Sequence, residues 1–146
     1  TYTVMTYVSH TGTFGTVNTP GVDCVGWMTA YNATSVVLSA VQLPMEISGM
    51  LIAKDRKTIS WSPALSYPGT GYDVLRGQLS ALPVGSQPAN ETCLGENIAA
   101  TQTTDATVPS AGAGFWYLVR ERVAGCGVGT YGFATSGSER ISSTCP

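Results

Sequence analysis

Residues 72–76 read YDVLR and residues 115–120 read FWYLVR. Both stretches have the two-residue alternation of a strand that is buried on at least one face. ISW at residues 59–61 precedes them, and a glycine-punctuated loop, GCGVG at residues 125–129, follows them. Strands separated by turns over this half of the chain predict an all-β fold.

Strand-like runs of the same kind recur along the rest of the chain. The predicted strands are residues 2–8, 13–18, 26–31, 35–42, 47–53, 57–62, 71–77, 98–104, 115–123 and 130–143, the last with a break at Gly137. Residues 78–97 predict a long connection that holds one short strand. No segment predicts a helix, since Pro44 and Gly49 interrupt the apolar stretch around them. The pattern favours an all-β sandwich with an added β-segment.

The composition is typical of an extracellular β-protein. Charged residues make up 11% of the 146 residues, against about 25% in an ordinary soluble domain. The net charge is −2 and the only basic cluster is Lys54, Arg56 and Lys57, so we expect no nucleic-acid partner. No apolar run reaches the ~18 residues of a membrane span. The sequence has no initiator Met and no signal peptide, which predicts a piece processed from a longer precursor.

The four cysteines are Cys24, Cys93, Cys126 and Cys145. None has the spacing of a zinc-binding pair and the chain has a single histidine, so we expect no metal site. Two disulfide bonds in an oxidising compartment are the better interpretation, which places the protein outside the cell or on its surface. The sequence leaves all three pairings open.

Residues 44–144 resemble a fibronectin type III domain. The resemblance is carried by Trp61, by the residues 72–76, by Thr104-Asp105, by residues 117–120 and by the loop at 125–129. The cysteine-bearing loop and the closing residues are similar to a bacterial secreted subgroup of that family. The resemblance implies an immunoglobulin-like β-sandwich over residues 44–146 that serves adhesion, spacing or the carriage of other modules. It supplies no catalytic residue and no cofactor.

The same resemblance implies a disulfide pairing. In such a sandwich the residue before the fifth strand and the loop after the sixth lie at the same end. Cys93 is therefore expected to pair with Cys126, which leaves Cys24 with Cys145. The second bond would tie the N-terminal segment to the C-terminus or to a neighbouring molecule. Tyr117 is expected to be the buried corner tyrosine of the sandwich.

Residues 1–42 resemble the terminal rungs of secreted β-helix and autotransporter passenger segments. The resemblance is carried by YTVMTY at 2–7, TGTF at 11–14 and the strand-like residues 30–38. One or two rungs cannot bury their own apolar faces, because a solenoid needs stacked neighbours. Residues 1–43 are thus expected to be an incomplete rung or donor strand. Tyr2, Val4 and Tyr7 would contact either the chain's own sandwich or another subunit.

The sequence contains little that supports a catalytic site. His10 is the only histidine and no nucleophile elbow occurs, so a serine triad is not expected. Asp73 and Glu121 fall on neighbouring predicted strands, where a glycosidase would hold two carboxylates. Each is instead expected to pair with an arginine of the same strands. The loop at 125–129 precedes a strand rather than a helix, which argues against a phosphate site.

The sequence therefore predicts a non-catalytic, secreted structural protein. We expect it to self-associate into a homopolymer, an extracellular filament or surface assembly, through its N-terminal β-segment. The alternative is a carbohydrate-binding or cell-adhesion module of a larger secreted protein, with Trp27 or Trp116 exposed to stack on glycans. Further candidate aromatic platforms are Tyr31, Tyr67 and Tyr131. Trp116 has a second interpretation, since it could lie beneath the N-terminal segment.

Overall fold

A computed structural model describes residues 1–19, 23–63 and 70–145. The chain divides into two compact units, Thr1–Leu43 and Pro44–Pro146. Apart from turns and irregular segments, the described residues form antiparallel strands and two short 3-10 turns, Leu79–Ala81 and Pro88–Asn90. The all-β prediction is confirmed. No helix among the described residues is long and apolar enough to cross a membrane.

The N-terminal unit is a three-stranded antiparallel sheet. Its strands are β1 (Tyr2–Thr6), β2 (Val25–Tyr31) and β3 (Ser35–Gln42), and they lie in the order β1-β3-β2. A tight turn closed by the Asn32 amide on the Ser35 carbonyl joins β2 to β3. The strand predicted at 13–18 is wrong, because the Phe14 amide donates to the Tyr31 hydroxyl rather than to a neighbouring strand.

The second unit is a β-sandwich, as predicted. One sheet has the order β4-β5-β8, and the other has the order β10-β9-β6-β7. The strands are β4 (Leu51–Ile52), β5 (Thr58–Ser60), β6 (Thr70–Gln78), β7 (Glu91–Ile98), β8 (Gln102–Thr104), β9 (Phe115–Val123) and β10 (Gly127–Val128). The buried core consists of Ile59, Trp61, Tyr72, Val74 and Val119. These residues come from both sheets, which is the packing of a sandwich.

Strand β6 is buried on both of its faces. Tyr72 and Val74 point into the sandwich core, while Asp73 and Leu75 point to the other face of the sheet and are equally buried. Leu75 packs there with Tyr131 and Cys145 of the C-terminal segment. The segment from 129 to 145 therefore adds an irregular third layer over the outer face of the four-stranded sheet.

Two strand predictions of the second unit need correction. The region predicted as a long connection contains the eight-residue strand β7. Its first residue, Glu91, is buried and accepts hydrogen bonds from the Gly85 amide and the Ser142 hydroxyl. The strand predicted at 130–143 is absent, because Gly132 and Gly137 adopt positive φ values of 84° and 83°. They fold this stretch into a small hairpin with one bridge, Phe133 to Glu139.

All four cysteines are disulfide-bonded, which confirms the two predicted bonds. Cys93 pairs with Cys145, so the predicted pairs Cys93–Cys126 and Cys24–Cys145 are both wrong. The physical reason is the direction of Cys93 on β7. Its side chain lies with Leu75 on the outer face of the sheet, where the C-terminal segment delivers Cys145.

Candidate interaction surface

Strand β1 is an edge strand whose side chains are all exposed. Tyr2 is 62% exposed, Val4 53% and Met5 46%. Natural edge strands are commonly protected by charged residues or proline, since unpaired backbone groups invite another strand. The sequence of β1, YTVMT, contains neither. Neither a charged residue nor a proline therefore opposes strand addition at this edge of the sheet.

A β-bulge shapes β1 at its centre. Thr3 pairs with Val37 and Met5 pairs with Val36, so Val4 has no pairing residue on β3. An inserted residue of this kind bends its strand and redirects the side chains beyond it. Met5 consequently lies on the same face as Tyr2, although the two are three positions apart.

This shared face is rich in aromatic side chains. Tyr2 lies opposite Leu38 of β3, and Trp27 of β2 lies opposite Ala40 of the same strand. The rings of Tyr2 and Trp27 are 6.0 Å apart between centroids. Val36 and Leu38 are buried between the outer strands and form the floor of the face. The structure thus brings two of the predicted contact residues together across the central strand.

A second aromatic group covers the other end of the same face. Tyr7 and His10 have ring centroids 4.6 Å apart, His10 and Tyr31 are stacked at 6.2 Å, and Phe14 lies 6.1 Å from Tyr31. These residues line a cavity of about 190 Å³ whose floor includes Val36. His10 is exposed, and its ring contacts are with Tyr7 and Tyr31.

The sequence identified Tyr7 as a contact residue but did not identify His10, which contacts Tyr7, or Phe14, which contacts Tyr31. The loop that carries both is closed by the Phe14 amide donating to the Tyr31 hydroxyl at 3.0 Å. Tyr7 is held independently, with its hydroxyl 2.7 Å from the Asn32 carbonyl. The stretch TGTF at residues 11–14 marks Phe14 as an aromatic residue near a turn. Such a local pattern does not specify which ring lies beside which.

Trp116 belongs to the second unit and has a different environment. It is half-buried on the outer face of the four-stranded sheet, where its Nε1 donates to the Gln78 carbonyl at 3.0 Å. Its ring lies so close to Gly77 that a Cβ there would come within 2.0 Å of Cζ2. Tyr131, another predicted platform, is buried. Tyr67 lies outside the described residues.

Asp73 is the centre of a buried ion-pair network. Its carboxylate accepts hydrogen bonds from Arg120 Nε at 2.9 Å, from Arg122 Nη2 at 3.1 Å and from the Asn97 backbone amide at 2.9 Å. Burial works to raise the pKa of Asp73, but the hydrogen bonds from Arg122, the Asn97 amide and Arg120 outweigh it and lower the pKa. The predicted arginine pairing of Asp73 is confirmed.

Glu121 does not join that network. It is fully buried on the opposite face of β9, where its Oε2 accepts the Met45 amide. Its Oε1 has no hydrogen-bond partner among the described residues, so its predicted arginine pair is wrong. Burial raises the pKa of this carboxyl. Asp73 on β6 and Glu121 on β9 therefore lie on opposite faces of the four-stranded sheet and do not form a glycosidase pair.

A second ion pair lies at the end of the sandwich. Arg76 contacts Asp105 at 2.9 Å, and the Tyr117 hydroxyl donates to the same carboxylate at 3.0 Å. Burial and this carboxylate raise the pKa of Tyr117 to about 12.

Within residues 1–19, 23–63 and 70–145, no cluster of three metal-ligating side chains occurs. No family model, curated protein or solved structure matches the chain.

Proposed function

We propose that this chain is a non-catalytic extracellular structural protein that self-associates through its N-terminal sheet. The observation that carries the proposal is β1, an exposed apolar edge strand with no charge and no proline. Addition of a strand from a second copy would satisfy its free backbone groups. In a head-to-tail contact a different edge of the second copy supplies the strand, and where the rotation between copies does not close a ring the contact yields a filament or a surface assembly.

The second unit supports the scaffold role in this proposal. Its first, second and fifth strands share one sheet, and the other four share the second sheet. That distribution is the one expected of a fibronectin type III-like sandwich. The Tyr117 hydroxyl also reaches back to Asp105 at the corner before β9. Two disulfide bonds and the low charge content support an extracellular location.

Replacing Val4 with lysine is expected to weaken self-association about tenfold or more. Val4 is the bulged residue, so its loss removes exposed apolar surface without removing a ladder pair. Burying a valine is worth roughly 1.5–3 kcal/mol, and a lysine on an edge strand opposes pairing. Sedimentation velocity over a wide range of protein concentration measures the change.

Leu51→Lys is the matched control for Val4→Lys. Leu51 is 67% exposed and lies on β4, which is an edge strand of the sandwich. This variant is expected to assemble like the unmodified chain. Equal weakening by both variants would contradict the assignment of the N-terminal sheet, and a wild-type chain that stays monomeric at every concentration would refute self-association.

Glycan binding by the same N-terminal face is the second candidate function. It is favoured by the adjacent rings of Tyr2 and Trp27, which lie beside the aromatic cavity on one sheet face. Trp27→Ala is then expected to weaken binding to soluble glycans about tenfold, since stacking on an aromatic ring contributes on the order of 1 kcal/mol. Glycan-array binding followed by calorimetry provides the measurement. Trp116→Ala serves as the control and should leave the affinity unchanged.

A further inference from the structure

A cavity of about 510 Å³ lies at one end of the sandwich, between the turn that joins β4 to β5 and the connection that joins β8 to β9. Its volume falls within the range of small-molecule sites, roughly 300–1,000 Å³. The first residues of β9 form its third side. None of the residues predicted as contact sites from the sequence lines it.

The walls of this cavity are mainly apolar. They are built by Ile52, Ile59, Val108, Pro109 and Phe115, together with the ring of Tyr117. Ile59 is fully buried and belongs to the sandwich core, whereas Ile52 is 55% exposed and Val108 83% exposed. Large apolar side chains left in water around a concavity favour an apolar occupant.

The polar groups beneath the cavity are already occupied. The Tyr117 hydroxyl donates to Asp105, and the Asp105 carboxylate also accepts Arg76 and the Thr107 amide. The negative charge of Asp105 is therefore balanced by Arg76 at 2.9 Å. The inner part of the cavity is therefore a neutral surface. The Tyr117 hydroxyl already donates its hydrogen to Asp105 and has none left for a ligand.

The outer part of the cavity carries positive charge. Arg56 and Lys57 are exposed, line the cavity, and form no ion pair with any carboxylate in the described part of the chain. Asp55 also lines it, but its carboxylate is turned to its own loop and accepts the Lys57 amide, the Thr58 amide and the Thr58 hydroxyl. The cavity opening therefore carries the positive side chains of Arg56 and Lys57 and one carboxylate, Asp55, which makes its hydrogen bonds within its own turn.

We propose that this cavity binds a small carboxylic acid with an apolar body. The apolar body lies against Ile59 and Phe115, and the carboxylate meets Arg56 and Lys57. The structural reason is the combination of an apolar wall with two exposed cations, Arg56 and Lys57, that form no ion pair within 4 Å among the described residues. A cationic molecule of the same shape should bind poorly, because both side chains would repel it.

Decanoate is the probe that tests the proposal directly. Titration of the isotope-labelled full chain at low ionic strength is expected to give saturable amide shifts at residues 53–59, 105–109 and 115–117. Decyltrimethylammonium, which has the same alkyl chain and the opposite charge, should bind at least tenfold more weakly. The decanoate affinity should also fall as salt is added, because exposed charges are screened. Shifts of equal affinity for both ligands, shifts confined to residues 1–43, or no saturable shift would overturn the proposal.

Variants of the basic turn sharpen the test. The double variant Arg56→Gln with Lys57→Gln is expected to lower the decanoate affinity about five- to tenfold, since each exposed pair contributes up to ~1 kcal/mol. Lys54→Gln removes a charge from the same turn without touching the cavity, and its affinity should stay within about twofold. Val108→Asp adds a carboxylate at the opening. This variant should also lower the decanoate affinity relative to the unmodified chain, because the two carboxylates repel each other. An unchanged affinity in the double variant would contradict the role of the two cations.

Discussion

Replacing Asp73 with alanine is expected to lower the free energy of unfolding by about 3–5 kcal/mol. Asp73 is fully buried between Arg120 and Arg122 on the outer face of the four-stranded sheet. Arg120 is itself buried, and without Asp73 its guanidinium would keep only the Cys145 carbonyl and the face of Tyr131. An unpaired buried charge is among the most costly defects that one substitution can create.

Chemical denaturation followed by tryptophan fluorescence measures this loss. Glu96→Ala is the matched control, because Glu96 pairs with Arg122 at 3.3 Å while its side chain is 51% exposed. Exposed ion pairs contribute about 0–1 kcal/mol, so this control should remain close to the unmodified protein. A loss below about 1 kcal/mol for Asp73→Ala would contradict the buried network as a source of stability.

The same carboxylate also makes the sandwich sensitive to acid. Against the effect of burial, the pKa of Asp73 in the folded chain is lowered from its ordinary value by hydrogen bonds from Arg122, the Asn97 amide and Arg120, and that of Asp105 is lowered to about 2. A group whose pKa is lowered by folding stabilises the folded state above its unfolded pKa and loses that contribution as the pH falls. Stability should therefore decline as the pH drops below about 4, and Asp73→Asn should flatten that decline.

Removing the Cys93–Cys145 disulfide is expected to cost about 4 kcal/mol. The bond joins residues separated by 52 positions, and closing a long loop removes much entropy from the unfolded chain. It also fixes the C-terminal segment over Leu75, where Cys145 is fully buried. The double variant Cys93→Ala with Cys145→Ala should therefore both destabilise the sandwich and loosen residues 129–145.

Two readouts separate these effects. The unfolding midpoint reports the global loss, and hydrogen exchange reports the local protection of the C-terminal segment. Circular dichroism of the double variant first establishes that its strands still form. Unchanged exchange at residues 129–145 together with a loss below about 1 kcal/mol would show that the disulfide does not anchor the third layer.

The sequence predicted the central strands of the sandwich well. Residues 115–123 are strand β9, and the prediction of 71–77 differs from β6 by one residue at each end. One short strand was predicted within residues 78–97, but the position and length of β7 were missed because its sequence, ETCLGENI, carries glycine, asparagine and two acids that are depleted in strands. Its pairing with β6 and the burial of Glu91 are tertiary contacts, and they override the local preference.

The candidate surface was predicted only in part. Tyr2 and Trp27 could be placed on strands, but their proximity depends on the order β1-β3-β2, which no local pattern encodes. The bulge at Val4 and the loop closed by Tyr31 are likewise set by contacts between residues far apart in sequence. The Cys93–Cys145 pairing was mispredicted for the same reason, since it depends on the path of an irregular C-terminal segment.

The most direct test of the assembly claim is hydrogen exchange of β1 at rising protein concentration. If a second copy pairs with this edge strand, protection of the amides at residues 2–6 should increase with concentration. Protection of β6 and β9 should stay constant, because both strands are interior strands of the sandwich sheet. Protection at residues 2–6 that does not change while larger species form would contradict assembly through the N-terminal sheet.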